Sequence, residues 1–204
     1  MPQGDEVASA WERIVGWLRS HAPASAEALR PGASDEEIAR LKENLGFEIP
    51  DVLETWLRMS NGSTAKDSTK PVPGGGISLL PHPDSVVFPG GMRFLGCGEM
   101  AGQRAEYLHI AQDIGDDEYW QSPWIPVMEK SDGPYGVILD ARNPAGPPPL
   151  LTFAEGDFPS FFLPSLGDYL RPLAELLETG SAPGSVMEHE RFTVTEGRLR
   201  WTRT

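Results

Sequence analysis

One cysteine, Cys97, is all that the chain has among 204 residues, so an internal disulfide and a cysteine-built metal site are excluded. No apolar run approaches the roughly 20 residues that a membrane-spanning helix needs. The opening MPQGDEVASAWER lacks the basic start, apolar middle and small-residue cleavage site of a secretory signal. The expectation is a soluble, cytoplasmic protein with no membrane association. Positive charge is scarce too: 17 Lys and Arg face 30 Asp and Glu, for a formal net charge of −13. Such a balance repels phosphate backbones and anionic lipid and favours basic partners, while also serving solubility. Nucleic acid is thereby set aside as a partner. Arg191, Arg198, Arg200 and Arg203 crowd the C-terminal stretch, so the body is more acidic than the total suggests.

Signatures of catalysis and cofactor binding are missing as well. His21, His82, His109 and His189 are scattered, no two stand four apart, and HExxH is absent, so spacing gives no zinc site. The glycine clusters PVPGGGISLLP and FPGGMRFLGCG lack the Gly-Lys-Ser/Thr ending of a phosphate loop, and neither reads as opening onto a helix. Loop glycine is the better account. A hydrolase using Cys97 with His109, or a carboxylate pair, is the enzymatic alternative. Nothing in the sequence fixes the proximity of Cys97 and His109, and the apolar, glycine-flanked setting of Cys97 reads as a buried thiol. The chain is expected not to be an enzyme and to use no cofactor or metal.

What is present begins with helices. In EVASAWERIVGWLRSHAP, Val7, Trp11, Ile14, Val15 and Leu18 recur at three- and four-residue spacings, the stripe of an amphipathic helix that stops before Pro23. PGASDEEIARLKENLG starts with a capping box, Ser34 and Glu37, carries Asp35 and Glu36 where the helix dipole favours anions, and ends at Gly46. Pro50 suits the first turn of the next helix, whose Leu53, Trp56 and Leu57 form an apolar stripe ending at Asn61-Gly62. Such a corner could in principle read DNA, yet its second helix offers Asp51, Glu54 and only Arg58 to a groove. A core-forming corner is the reading that survives.

From Ser63 to about Leu163 the texture is that of short, mainly antiparallel strands between turns: GISLLP, MRFLGCG, EYLHIAQD, WIPVME, YGVILD and PLLTF. WIPVMEKSDGPYGVILD reads as a hairpin turning at Ser131-Asp132-Gly133-Pro134. Helix returns at SLGDYLRPLAELLETG, closed by Gly180. Beyond it, Phe192 with Val194 and Leu199 with Trp201 alternate around Glu196-Gly197, as in a small hairpin or an added edge strand. The acidic run QDIGDDEYWQS lacks calcium-loop spacing. Its simplest reading is a solvated turn; the rival is a patch for a basic partner, with aromatic anchors beside carboxylates.

The run PGASDEEIARLKENLGFEIPDVLETWLRMSNG resembles the N-terminal signature of the SUKH superfamily, which includes the yeast Smi/Knr cell-wall regulators and many bacterial proteins. The matching positions are Gly32, Ser34, Glu37-Ile38, Leu45-Gly46, Pro50, Leu53, Leu57 and Asn61-Gly62. The later Trp-Ile-Pro strand pair and the closing helix are similar to that family too, although the Ser-Asp-Gly-Pro turn is less acidic and the tail lies outside the pattern. The resemblance implies an α+β fold, a mostly antiparallel β-sheet with N-terminal helices and a C-terminal helix packed against it. A single domain over residues 1–180 and an extension over 181–204 are expected. It also implies a non-enzymatic protein-binding module, an immunity protein that neutralises a polymorphic toxin, with a regulatory scaffold as the alternative. The expected partner is a toxin with a basic surface, such as a nuclease, bound by a monomer or weak homodimer. The surface residues expected to carry binding are Asp113, Asp116, Asp117, Glu118, Tyr119, Trp120, Trp124, Asp132 and Asp140.

Overall fold

The computed structural model describes residues 3–64, 68–72, 76–80, 84–130, 134–142, 146–154 and 156–203. Four helices come first: α1 (Gln3–His21), α2 (Pro23–Glu27), α3 (Asp35–Leu45) and α4 (Asp51–Met59). The stripe expected of α1 is buried as Val7, Trp11, Ile14 and Leu18. The capping box of α3 forms as read. Ser34 Oγ accepts from Glu37 N at 3.2 Å and Glu37 Oε2 accepts from Ser34 N at 2.8 Å, while Gly46 ends the helix at φ 78°. Ser34→Ala removes one of these reciprocal bonds and is expected to lower unfolding free energy by about 1 kcal/mol in urea titration, without changing the fold. Pro50 takes the cap position of α4 itself, and Leu53, Trp56 and Leu57 are fully buried.

Asn61-Gly62 does more than end α4. Asn61 Nδ2 donates to Glu37 Oε1 at 2.8 Å, and Asn61 Oδ1 accepts from Cys97 N at 2.8 Å, so one side chain ties the starts of two helices together. Gly62 has φ 80°, and a Cβ there would lie 2.4 Å from Gly96 N. Only glycine permits both the left-handed turn and that approach.

After a hairpin of β1 (Ser68–Val72) and β2 (Gly76–Leu80) comes an antiparallel meander. Its strands are β3 (Met92–Phe94), β4 (Trp124–Lys130), β5 (Gly136–Asp140), β6 (Leu150–Phe153) and β7 (Ser160–Leu163), in that spatial order. The β4–β5 hairpin is present, with its turn residues 131–133 outside the described residues. One reading is overturned: EYLHIAQD is not a strand but the second half of α5 (Cys97–Ile114). The buried positions Cys97, Met100, Arg104, Tyr107 and Ala111 keep helical spacing. A buried arginine and a small alanine on that face left the apolar signal too weak to show the period. FPGGMRFLGCG therefore does open onto a helix, but its N-terminus is taken: Glu99 Oε2 accepts from Gly96 N at 2.8 Å and Asn61 from Cys97 N.

Side chains alternate between the two faces of the sheet. Ile125, Val127, Val137, Leu139 and Leu150 join the main core with α1, α3, α4 and α6 (Leu166–Thr179). Trp124, Ile138, Leu151 and Phe153 face the other way, under Tyr107, Ala111 and Trp120. In the main core Trp56 stacks on Phe94 at 3.8 Å between centroids, with Trp11 and Phe88 against both. The expected α+β architecture is thus present.

The tail forms a separate two-stranded sheet, β8 (Glu190–Thr195) and β9 (Arg198–Arg203), and is not an edge strand of the meander. Glu196 and Gly197 both have positive φ, as a two-residue hairpin turn requires. It packs on the N-terminal helices: Leu199 N donates to Ser25 Oγ at 2.9 Å, Ala24 N to Gly197 O at 2.9 Å, and Phe192 lies against Trp17. No described helix is long and apolar enough to cross a membrane.

Candidate functional site

The acidic run begins inside α5 and leaves it through Gly115, whose N–H satisfies Gln112 O at 3.2 Å. Asp116 then makes a tight turn, its Oδ1 accepting from Glu118 N at 2.9 Å and its carbonyl from Tyr119 N at 3.2 Å. Asp113, Asp117 and Glu118 are exposed, Asp116 and Tyr119 half-buried, and Ile114 between them is 57% exposed. Trp120 nails the turn down, stacking on Tyr107 at 4.3 Å and meeting Trp124 and Phe153 edge-on.

Electrostatically this turn opposes the fold. The carbonyl end of a helix carries partial negative charge and favours cations, each charge being worth about 0.3–1 kcal/mol. Here the last turn of α5 has no basic residue; His109, one turn earlier, has its Nε2 3.4 Å from Asp113 Oδ2, and three more acids follow the helix end. No Lys or Arg occurs anywhere between Arg104 and Lys130. Elsewhere acids find cations: Glu54 pairs with Lys42 and Arg58, Glu178 with Arg13, Asp84 with Arg198. Among the described residues, Asp116, Asp117 and Glu118 have no cationic partner.

The other expected surface residues divide differently. Trp120 and Trp124 are 3% and 4% exposed, so they are not surface anchors; they build the cluster under the turn. Asp140 is buried and held by Arg142, whose Nε donates to both of its carboxylate oxygens at 2.9 and 2.8 Å, which makes it a neutralised internal partner. The same guanidinium lies 5.9 Å over the Trp124 ring. Asp132 lies outside the described residues.

A charged network in the fold had no signature in the sequence. Glu129 on β4 is buried and accepts a short hydrogen bond from the Tyr107 hydroxyl. Burial pushes its carboxyl up to about 7 against the pull of that bond and of Arg93, and pushes the Tyr107 phenol up as well. Arg93 Nη1 in turn donates to Glu99 Oε1 at 2.6 Å, and Glu99 also binds Arg30. Inward-facing charge on a strand beside an aromatic could be inferred only once the EYLHIAQD segment was placed on a helix above β4.

The Cys97–His109 pair is not assembled. They lie twelve residues apart on one helix, about 18 Å along its axis, and burial pushes the Cys97 thiol up to about 11, away from the nucleophilic thiolate. A groove of about 660 Å³ opens beside α1, with Trp11, Val15, Leu29, Arg19 and Arg30 in its lining, but Glu129, Cys97 and Tyr107 are not part of it. Among the described residues, no three His, Cys, Asp or Glu side chains gather as a metal site would need. The arrangement offers contact chemistry at a carboxylate-rich turn on a rigid aromatic base. In comparison with known proteins, the model of the SMI1 / KNR4 family (SUKH-1) matches residues 32–171, from the first glycine of the corner into α6. No curated protein matches the chain.

Proposed function

Because the chain belongs to the SMI1 / KNR4 family (SUKH-1), we propose that it is a protein-binding module acting as an immunity protein, which neutralises a toxin with a basic surface by covering it. The observation that supports this reading is the turn Asp113–Tyr119. Its Asp116, Asp117 and Glu118 carboxylates are kept at the wrong end of a helix with no cationic partner among the described residues, at a cost to the chain's own stability. A cationic partner would relieve that cost. Exposed Ile114 and half-buried Tyr119 supply apolar contact beside the charge. Inhibition would then work by occupancy and complementarity, with fast, salt-sensitive association.

The test is a triple neutralisation, Asp116→Asn, Asp117→Asn and Glu118→Gln, measured against whatever toxin domain the neighbouring genes encode. Association at low salt is expected to slow by about 10- to 100-fold, with the difference shrinking in high salt. Thermal stability should hold or rise slightly, because the removed charges oppose the helix dipole. Undiminished binding and protection by this variant, or no toxin affinity in the parent chain, would overturn the reading. Affinity for host proteins alone would favour a regulatory scaffold instead.

A further inference from the structure

The meander has two edges, and they are treated differently. At β3 the outer edge is satisfied: Ser63 N donates to Phe94 O at 2.8 Å and Phe94 N to Ser63 Oγ at 3.2 Å. At β7, among the described residues, pairing exists only on the β6 side. Soluble proteins usually guard such an edge with lysine, or twist it away. Here no Lys or Arg occurs between Arg142 and Arg171, and the edge presents Phe158 and Phe161, 60% and 67% exposed.

The face on which Phe161 sits follows from register. It stands opposite Leu151, and cross-strand partners share a face. Leu151 belongs to the cluster of Trp120, Trp124 and Phe153 beneath the acidic turn. Phe161 is therefore the open end of that aromatic layer. The acidic turn and the edge also meet: Tyr119 and Trp120 share a small depression with Phe153, Asp157 and Pro159, the residues that lead into β7.

We propose that β7 is the docking edge for an extended strand of a basic protein partner, which adds to the meander beside Ser160–Leu163, covers Phe161 and lays its cationic side chains toward Asp157 and Asp116–Glu118. Main-chain hydrogen bonds supply affinity in such strand addition, while side-chain pockets and charge supply selection. Pro159 and Pro164 bracket the edge, which limits the added strand to a few residues. A second copy of this chain is a poor occupant, because it would bring its own net charge of −13 against an acidic margin. The inference rests on the acidic-surface reading for the partner's charge, but its own requirement is a backbone that can donate and accept.

The experiment uses the full chain with a blocked peptide of alternating lysine and valine, and with the same peptide N-methylated at alternate residues. The methylated form keeps charge and side chains and loses the strand hydrogen bonds. Strand addition predicts that the first binds, protects β7 amides from hydrogen exchange, and loses at least about tenfold in affinity on methylation. Phe161→Lys, at an exposed position that leaves the melting temperature unchanged, should weaken the first peptide and spare a simple polylysine. Equal binding of both peptides, abolished by neutralising Asp116–Glu118, overturns strand addition and leaves the acidic-surface reading intact. Methylation-sensitive binding that ignores the neutralised turn does the reverse. No binding by either peptide, or sedimentation showing a dimer that Phe161→Lys dissolves, overturns the proposal.

Discussion

Trp56→Ala is expected to lose about 3–5 kcal/mol of stability, the usual cost of emptying a large aromatic site in a packed core. Against a total of about 5–15 kcal/mol for a typical domain, that leaves a chain that expresses poorly and melts early. Trp56 earns this position by location. It is fully buried on α4, stacked on Phe94 of β3 at 3.8 Å and edge-on to Trp11 of α1 at 5.5 Å. Emptying it therefore loosens two helices from the sheet at once. Trp56→Phe provides the control: the indole N–H has no hydrogen-bond partner, so phenylalanine removes an unsatisfied donor while keeping most of the stacked area. Urea denaturation should show Phe costing less than half of what Ala costs. Comparable losses would mean that the size of the indole, not the stack, determines the site.

The second large effect depends on pH. Glu129 has its carboxyl raised from 4.5 to about 7 by burial, so below about 4.5 both folded and unfolded chains hold the proton there. Between those values only the folded chain holds it. Folded protein then binds more protons than unfolded, and stability falls as pH rises through this window, by up to about 3 kcal/mol in all. Facing it are the Tyr107 hydroxyl and Glu106 and Glu99 from α5, and Arg93 from β3. Glutamine imitates the protonated form and still accepts from Tyr107. Glu129→Gln should match the parent near pH 5 and exceed its melting temperature at pH 8 by roughly 5–10 °C. Glu37, Glu54 and Glu178 have carboxyls lowered by their partners, so their contribution is lost only as pH falls below the ordinary glutamate value of 4.5. The difference between parent and Glu129→Gln across pH 5 to 8 thus reports on Glu129, because the chain's four histidines are common to both. Parallel pH curves for parent and variant would show that the buried carboxyl is not the source.

Much of the helical framework was legible because its signals are local. Ser34 and Glu37 cap three residues apart, Gly46 ends a helix, and Leu53, Trp56 and Leu57 share one stripe. The strands WIPVME and YGVILD were legible from bulk and turn residues, and so was the β8–β9 hairpin around Glu196-Gly197. α5 was not, because Arg104 and Ala111 on its buried face disguise a helix as alternation. The candidate site suffered from the same limit. Asp113, Asp117 and Glu118 are exposed as expected, but Trp120, Trp124 and Asp140 look like interface residues in a linear string and turn out to pack inside. Whether an aromatic beside carboxylates points outward is decided by what lies across the sheet. Glu129 makes the converse point: its neighbours Tyr107 and Arg93 come from other elements, so no window of sequence contains its chemistry.

The docking of β9 on α2 has a bearing on how the chain is made. Leu199 and Ser25 meet across 174 positions, and α1 reaches α6 through Arg13 with Glu178 and Glu6 with Arg171, each across 165. During synthesis at about 5–20 residues per second, α1 can meet α4 early but waits on the order of ten to thirty seconds for α6. The segment matching the family, 32–171, is completed in the meantime. The side of α1 that meets α6 is thus buried late, and it is where a chaperone has a long opportunity to bind the nascent chain.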